Sequence, residues 1–424
     1  MGTQGLARGP AYDGLAAHAA DRAILTWRDA TIHAKRRIPW IHGFNAAALK
    51  EYEPALNERV VQLVDGLLQR HGTVDVMESI KFFSYDFMGD MAQVLLLFNG
   101  VSELMRDGDT HGQMQVVQTC IDSTIMRETM PWLTRYISDG ADPLRAAAAV
   151  MGMQRVQKAI SRRDLFYYLN NDDGAEAVSP PLSVVIAEAA LVIIAGSDTT
   201  SGTLCNILYS LVRHPDVYKE LQEEVDKFYP LGENALDSAF HSKMTFLEAV
   251  INETLRLYPV VPSGSQRFTS EGVTISSWYI FDSSHSIESL TGYWLPSYVP
   301  RNTSVRSHTW SIHRDPRNFS PFTNEFWPER WLIAEKSSSY QSEKPFIHNL
   351  NAYIPFSFGP ANCVGKHLAL KEIRTVLCYL LQQVSLRFAE GFDPDTWDSH
   401  LKDNLTLEVG HLPVVVTARG VSKP

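Results

Sequence analysis

Apolar residues recur along most of the chain at intervals of three and four, the spacing of one helix face. Leu56, Val60, Leu63 and Leu67 mark such a face after Pro54, whose fixed φ suits a first helical turn, and Gly72 supplies a stop. Between Pro181 and Pro215 the chain runs without proline and is apolar on nearly all sides. That stretch predicts a rod of roughly 45 Å crossing the middle of the fold. Thr245 and Glu248 have capping-box spacing and open a helix that stops at Pro259. After Cys363, the residues Ala369, Ile373, Val376 and Leu380 line one side of a last long helix. Strand signals are short: VTIS (273–276), NTSVRS (302–307) and PVVVTA (413–418). The pattern predicts a mainly α fold with small β-sheets and a long central helix, as a single domain over 1–424. Serine-rich stretches at 282–289 and 335–343 read as surface loops.

Composition narrows the function classes. With 424 residues, 45% of them hydrophobic, the chain can bury a large core. A net charge of -10 and a pI near 5.8 lack the basic footprint of a nucleic-acid binder, so no nucleic-acid partner is expected. Cys120, Cys205, Cys363 and Cys378 form neither a C-x-x-C pair nor a dense framework, which suits a reducing compartment and excludes a zinc pattern. The opening MGTQGLARGPAYDGLAAHAAD has no apolar core of signal-peptide length. The most apolar segment, 181–200, carries Glu188 and Asp198, which favours a buried core helix over a membrane span.

The stretch FSFGPANCVGKHLAL (356–370) sets Cys363 in a tight loop just before a helix. A thiol there feels the positive end of the dipole and free N–H groups, both favouring thiolate. Gly359 and Gly365 let the backbone turn closely around the sulfur. A nucleophile, a heme ligand and a merely packed thiol all remain open on this chemistry. In AGSDTT (195–200) an acid and two hydroxyls lie in the middle of the apolar rod, where a buried acid is costly without a partner or a job. Threonine or serine there can bond back to the preceding turn. In INETLRLYP (251–259), Glu253 and Arg256 share a helix face, and HAKRRIPWIHGF (33–44) concentrates positive charge.

These segments together resemble the cytochrome P450 family, most like its fungal microsomal members. The heme-binding loop F-x-x-G-x-R-x-C-x-G is met by Phe356, Gly359, Cys363 and Gly365, with Ala361 in the arginine's place. AGSDTT is similar to the oxygen-activating motif, which implies proton-relay roles for Asp198 and Thr199. Glu253 and Arg256 match E-x-x-R, and FWPERW (326–331) supplies its partner Arg330; this trio is expected to be a structural lock. HAKRRIPWIHGF resembles the W-x-x-x-R helix that meets a heme propionate, with Arg37 matching and His33 in the tryptophan's place. Arg267 stands where the family often offers another propionate contact. The ordered set runs from residue 33 to about 420.

The resemblance implies a monooxygenase holding heme b (iron protoporphyrin IX) through Cys363 and inserting one oxygen atom of dioxygen into a lipophilic substrate. It implies electrons from an NADPH-cytochrome P450 reductase, since the chain shows no flavin or nicotinamide motif, and a place on the cytoplasmic face of the endoplasmic reticulum membrane. The propionate helix arrives by residue 33, so the anchor and part of the substrate mouth are expected to be missing. A truncated, non-catalytic heme-binding protein is the alternative, and a cysteine hydrolase using Cys363 stands well behind. Segments 93–100 and 277–292 interrupt otherwise compact patterns and are expected to be retained intron translations or gene-model errors. Sequencing the mature transcript tests this.

Overall fold

A computed structural model of the protein describes residues 6–17, 19, 21–92, 103–110, 112–136, 163–275, 297–335 and 345–420. Segments 93–100 and 277–292, the loop 282–289 and most of the loop 335–343 lie outside the described residues.

The helices that position the site are α1 (Ala30–Gly43), α2 (Ala46–Gln69), α3 (Val76–Met91), α4 (Gln113–Thr129), α5 (Leu182–Arg213), α6 (Pro215–Phe228), α7 (Thr245–Leu257) and α8 (Lys366–Gln383). Small antiparallel sheets accompany them. The first joins β1 (Ala7–Arg8), β3 (Gln266–Thr269) and β4 (Thr303–Arg306), and the second sets β8 (Pro413–Ala418) between β2 (Thr73–Asp75) and β5 (Val384–Phe388). A two-stranded hairpin joins β6 (Lys402–Asn404) to β7 (Thr406–Glu408), with Leu405 at its tip in the left-handed region, φ 70°. The three expected strands appear as Val273–Ile275, β4 and β8.

The rod expected between Pro181 and Pro215 is α5, 32 residues long. Its most apolar 18-residue window has a mean hydropathy of 1.7, which with its length would suit a membrane span. Here α3, α6, α7 and α8 pack against it instead. Gly196 permits the closest of these approaches, because a Cβ there would meet Met88 Cε of α3 at 2.6 Å. An alanine at 196 must displace that methionine.

Two expected helix starts are corrected. Pro54 lies inside α2, which begins earlier at the Asn45 cap, whose side chain accepts from Ala48 N–H. The apolar face is as expected: Leu56, Val60, Leu63 and Leu67 are all buried. The Thr245–Glu248 capping box does not form, since α7 has no side-chain cap of its own. Glu224 of α6 accepts from Phe246 and Leu247 N–H instead, at 3.0 and 2.7 Å, while Glu248 pairs with Arg374 of α8. The orphan donors of a helix start are satisfied either way, and a neighbouring carboxylate removes the need for a local cap.

Candidate functional site

The loop before α8 is closed by its own backbone. Cys363 N–H donates to the Phe356 carbonyl at 2.9 Å and Asn362 N–H to the Gly359 carbonyl at 3.0 Å. Gly359 takes φ 81° and Ser357 φ 60°, so the turn needs a left-handed residue at both places, and glycine meets that without strain. Gly365 is the cap residue of α8, and Lys366 lies 5.5 Å over the Phe356 ring. Solvent reaches Cys363, yet protein crowds it from most directions, so the sulfur sits in a recess. The expected preference for thiolate is corrected: burial pushes the thiol up, and the Gly365 N–H, Arg37 and Lys366 offset this only in part. Desolvation of the anion outweighs the helix start.

Around this loop the fold gathers cations. Arg37 of α1 grips Asn362 twice, donating to its carbonyl at 2.8 Å and to its Oδ1 at 2.7 Å. This contact sits beside Ala361, the position where the family pattern has arginine. Arg267 of β3 lies directly opposite Arg8 of β1 in the sheet register. Like charges facing across two strands are destabilising unless something negative joins them. His33, one turn before Arg37, is buried too.

The electrostatic neighbours confirm the imbalance. Arg37 and Arg267 depress both Arg8 and His33 after burial has done so, and His33 falls to about 4. Arg8 is only 9% exposed and His33 6%, yet Arg8 Nε and His33 Nε2 have no hydrogen-bond partner. Buried polar groups are rarely left so, and buried charges are normally paired. Three guanidiniums and an imidazole with two orphaned nitrogens therefore fit a ligand carrying carboxylates at one edge, as a porphyrin does.

Arg8 is the residue that motif reading missed. It donates to the carbonyls of Ile24 and Trp27 at 2.9 and 3.0 Å, and the Ile24 N–H is held in turn by Glu188 of α5 at 3.0 and 3.1 Å. Burial pushes Glu188 up to about 8. The central helix thus anchors the peptide on which Arg8 rests.

On α5, Thr199 Oγ1 donates back to the Ala195 carbonyl at 2.7 Å, the back-bond anticipated for this motif. Asp198 looks elsewhere: its Oδ2 accepts from Thr406 Oγ1 at 2.6 Å. The acid and the hydroxyl expected to act together are engaged with different partners.

The lock is fully formed. Glu253 accepts from Arg256 at 2.9 and 2.8 Å and from Arg330 Nε at 3.0 Å, with all three side chains at 0% exposure. Trp331 Nε1 and Trp327 N–H add bonds of 3.0 Å each, and Arg256 reaches the carbonyls of His313, Thr323 and Glu325. Burial alone would raise Glu253, but the two arginines hold it below the usual carboxylate range. From this block His313 reaches the cysteine loop's approach: its Nε2 accepts from Ile354 N–H at 2.9 Å, and its Nδ1 lies 3.2 Å from the Arg256 carbonyl.

Burial lowers His313 to about 4, and this sets a pH dependence. The folded value lies below the unfolded one near 6.5, so its stabilisation is complete above pH 6.5 and is lost as pH falls towards 4. The loss is at most roughly 3–4 kcal/mol. Glu188 acts in the opposite sense, because its raised value favours the folded state as pH falls from 8. A comparison with His313→Gln, which keeps an acceptor for Ile354, isolates the imidazole. Thermal midpoints of that variant are expected to fall less steeply between pH 6.5 and 4.5 than those of the wild type.

Comparison with known proteins agrees with this geometry. The family model described as cytochrome P450 matches residues 15–407. The chain is 28% identical to cytochrome P450 monooxygenase FCK2 of Fusarium pseudograminearum, over 94% of this chain and 68% of that protein. It is 30% identical to cytochrome P450 monooxygenase sthD of Phaeosphaeria nodorum, over 94% of this chain and 79% of the relative. Tryprostatin B 6-hydroxylase of Aspergillus fumigatus is 29% identical over 94% of the chain and 67% of its own length. The chain thus spans about two thirds of the length of several fungal relatives, most of them cytochrome P450 monooxygenases by name. With the cysteine loop, the buried Glu253 lock and a family match over most of its length, the chain belongs to the cytochrome P450 family.

Proposed function

We propose that this chain is a heme-thiolate monooxygenase that takes heme b, with Cys363 as the iron's protein ligand and an organic, lipophilic compound as substrate. The observation that carries the reading is the cluster of Arg8, His33, Arg37 and Arg267 with two orphaned buried nitrogens, tied through Asn362 to the loop of Cys363. Arg37 and Arg267, joined by Arg8, would neutralise the propionates, and the neutral His33 imidazole would offer them a hydrogen bond. Phe356, Gly359 and Gly365 shape the loop so that backbone amides face the sulfur, which tempers its basicity. Iron ligated by thiolate supplies oxygen activation and favours O–O cleavage. Asp198 takes protons from solvent and Thr199 presents a hydroxyl on the neighbouring face of α5, as general acid chemistry requires of positioned groups.

Electrons would come from an NADPH-cytochrome P450 reductase, and dioxygen is the co-substrate. A site on the cytoplasmic face of the endoplasmic reticulum follows from family likeness. The test is the carbon monoxide difference spectrum of the reduced, heme-loaded protein. A red-shifted Soret band is expected. A band typical of histidine ligation, or none, overturns the proposal.

A further inference from the structure

A small cleft leads from solvent to Asp198. It lies between α3, α4, α5 and the β6–β7 hairpin and has room of about 70 Å³ for water. A buried water needs far less, about 10–15 Å³, together with polar partners. Lys81, Gln118, Glu408 and Asp198 line it half-buried, and Ser201 and Thr406 line it buried. Thr199, one residue after Asp198, donates its hydroxyl back to the carbonyl of the exposed Ala195. The two residues of the acid–alcohol pair therefore lie on neighbouring faces of α5 and are held by different partners.

Thr406 is aimed with care. The hairpin approaches α5 at Gly202, where a Cβ would come within 3.4 Å of the Leu407 carbonyl. Leu407 N–H donates to the Val260 carbonyl at 2.9 Å, and Asn404 Nδ2 bonds Glu408 at 2.6 Å. Ser263 adds a bond to Asp403. These ties fix the strand from both ends, and the buried Thr406 hydroxyl ends on Asp198 Oδ2.

We infer that this cleft is the entry for the protons that Asp198 delivers, and that Thr406 is the positioning residue joining its water to the carboxylate. The inference rests on the monooxygenase reading above. A cleft water gives a proton to the Thr406 oxygen as the hydroxyl's own proton passes to Asp198 Oδ2. Thr406 is left unchanged, Asp198 gains one proton, and bulk water restores the one the cleft gave up.

The test uses the heme-loaded full chain with NADPH and a fungal cytochrome P450 reductase, without substrate. The share of NADPH electrons recovered as hydrogen peroxide rather than water is measured in light and heavy water. Starved of protons, oxygen reduction stops early. Thr406→Val is expected to raise the peroxide share roughly threefold and enlarge the solvent isotope effect, because a positioned proton-transfer group is lost. Thr406→Ser should stay near wild type, and the carbon monoxide band should persist in both. Gln118→Trp, which fills the cleft from its wall, should act like Thr406→Val and carries the test if that variant fails to fold. If Thr406→Val and Gln118→Trp behave as wild type while Asp198→Asn raises the peroxide share, the cleft is not the route and only this inference falls. If Asp198→Asn is silent as well, the proton role of Asp198 falls and the inference falls with it. A wild type without the red-shifted band overturns both readings together.

Discussion

Glu253→Leu is expected to yield protein that is largely unfolded or insoluble. The substitution strands Arg256 and Arg330 at 0% exposure, and leaves Trp331 Nε1 and Trp327 N–H without their acceptor. Removing one partner of a buried pair costs about 3–5 kcal/mol. That is a large part of the 5–15 kcal/mol by which a typical protein is stable. Glu253→Gln keeps the length and one acceptor oxygen, but it removes the charge and turns an NH2 donor towards donors, so a loss smaller than that of Glu253→Leu is expected, with folded protein recovered. The exposed pair Lys219–Glu223, at 77% and 67% exposure, is the control. Breaking it should change stability by no more than about 0.5 kcal/mol. Urea titrations of the soluble variants test the ranking, and a Glu253→Leu protein as stable as the control would refute the lock.

The location of the lock explains why its loss should reach the site. His313 takes the Arg256 carbonyl on one side and Ile354 N–H on the other, two residues before Phe356. Loosening of the block therefore frees the segment that leads into the cysteine loop.

What could be read from the chain itself divides along a physical line. Local constraints were legible: two prolines bounded α5, and the apolar spacing of Leu56, Val60, Leu63 and Leu67 identified the buried face of α2. Where a neighbour supplied what a local signal usually supplies, the reading failed. Pro54 fits a first turn, but Asn45 starts α2 earlier; Thr245 and Glu248 fit a capping box, but Glu224 of another helix does its work. The site follows the same rule. Cys363, Arg37 and Arg267 lie in motifs whose spacing carries information. Arg8 carries none, because its meaning comes from pairing opposite Arg267 across a sheet. Thr406 is likewise an ordinary strand residue until the hairpin docks on α5 and brings it to Asp198. The helix-start argument for a thiolate at Cys363 failed for a related reason: burial depends on the whole fold, and it outweighs the few amides that sequence could foresee.

Cys363→Ser separates the roles of fold and cofactor most sharply. In the folded chain burial favours the neutral thiol, which makes little demand on its surroundings beyond its backbone bond to Phe356. A serine hydroxyl is close in size, leaves that N–H bond in place and can be reached by solvent, so only a small change in stability is expected. Arg8, His33, Arg37 and Arg267 are untouched, so the variant should still take up heme at its carboxylate edge, though less tightly. The red-shifted carbon monoxide band should vanish, and turnover should fall below ~1% of wild type, because the sulfur's electron donation is lost. Absorbance, thermal melting and NADPH-driven product formation on one preparation test the three parts. If the serine protein retains both the band and the turnover, Cys363 does not ligate the iron. If it retains neither and also fails to fold, the cysteine has a packing role that its solvent-reachable recess does not suggest.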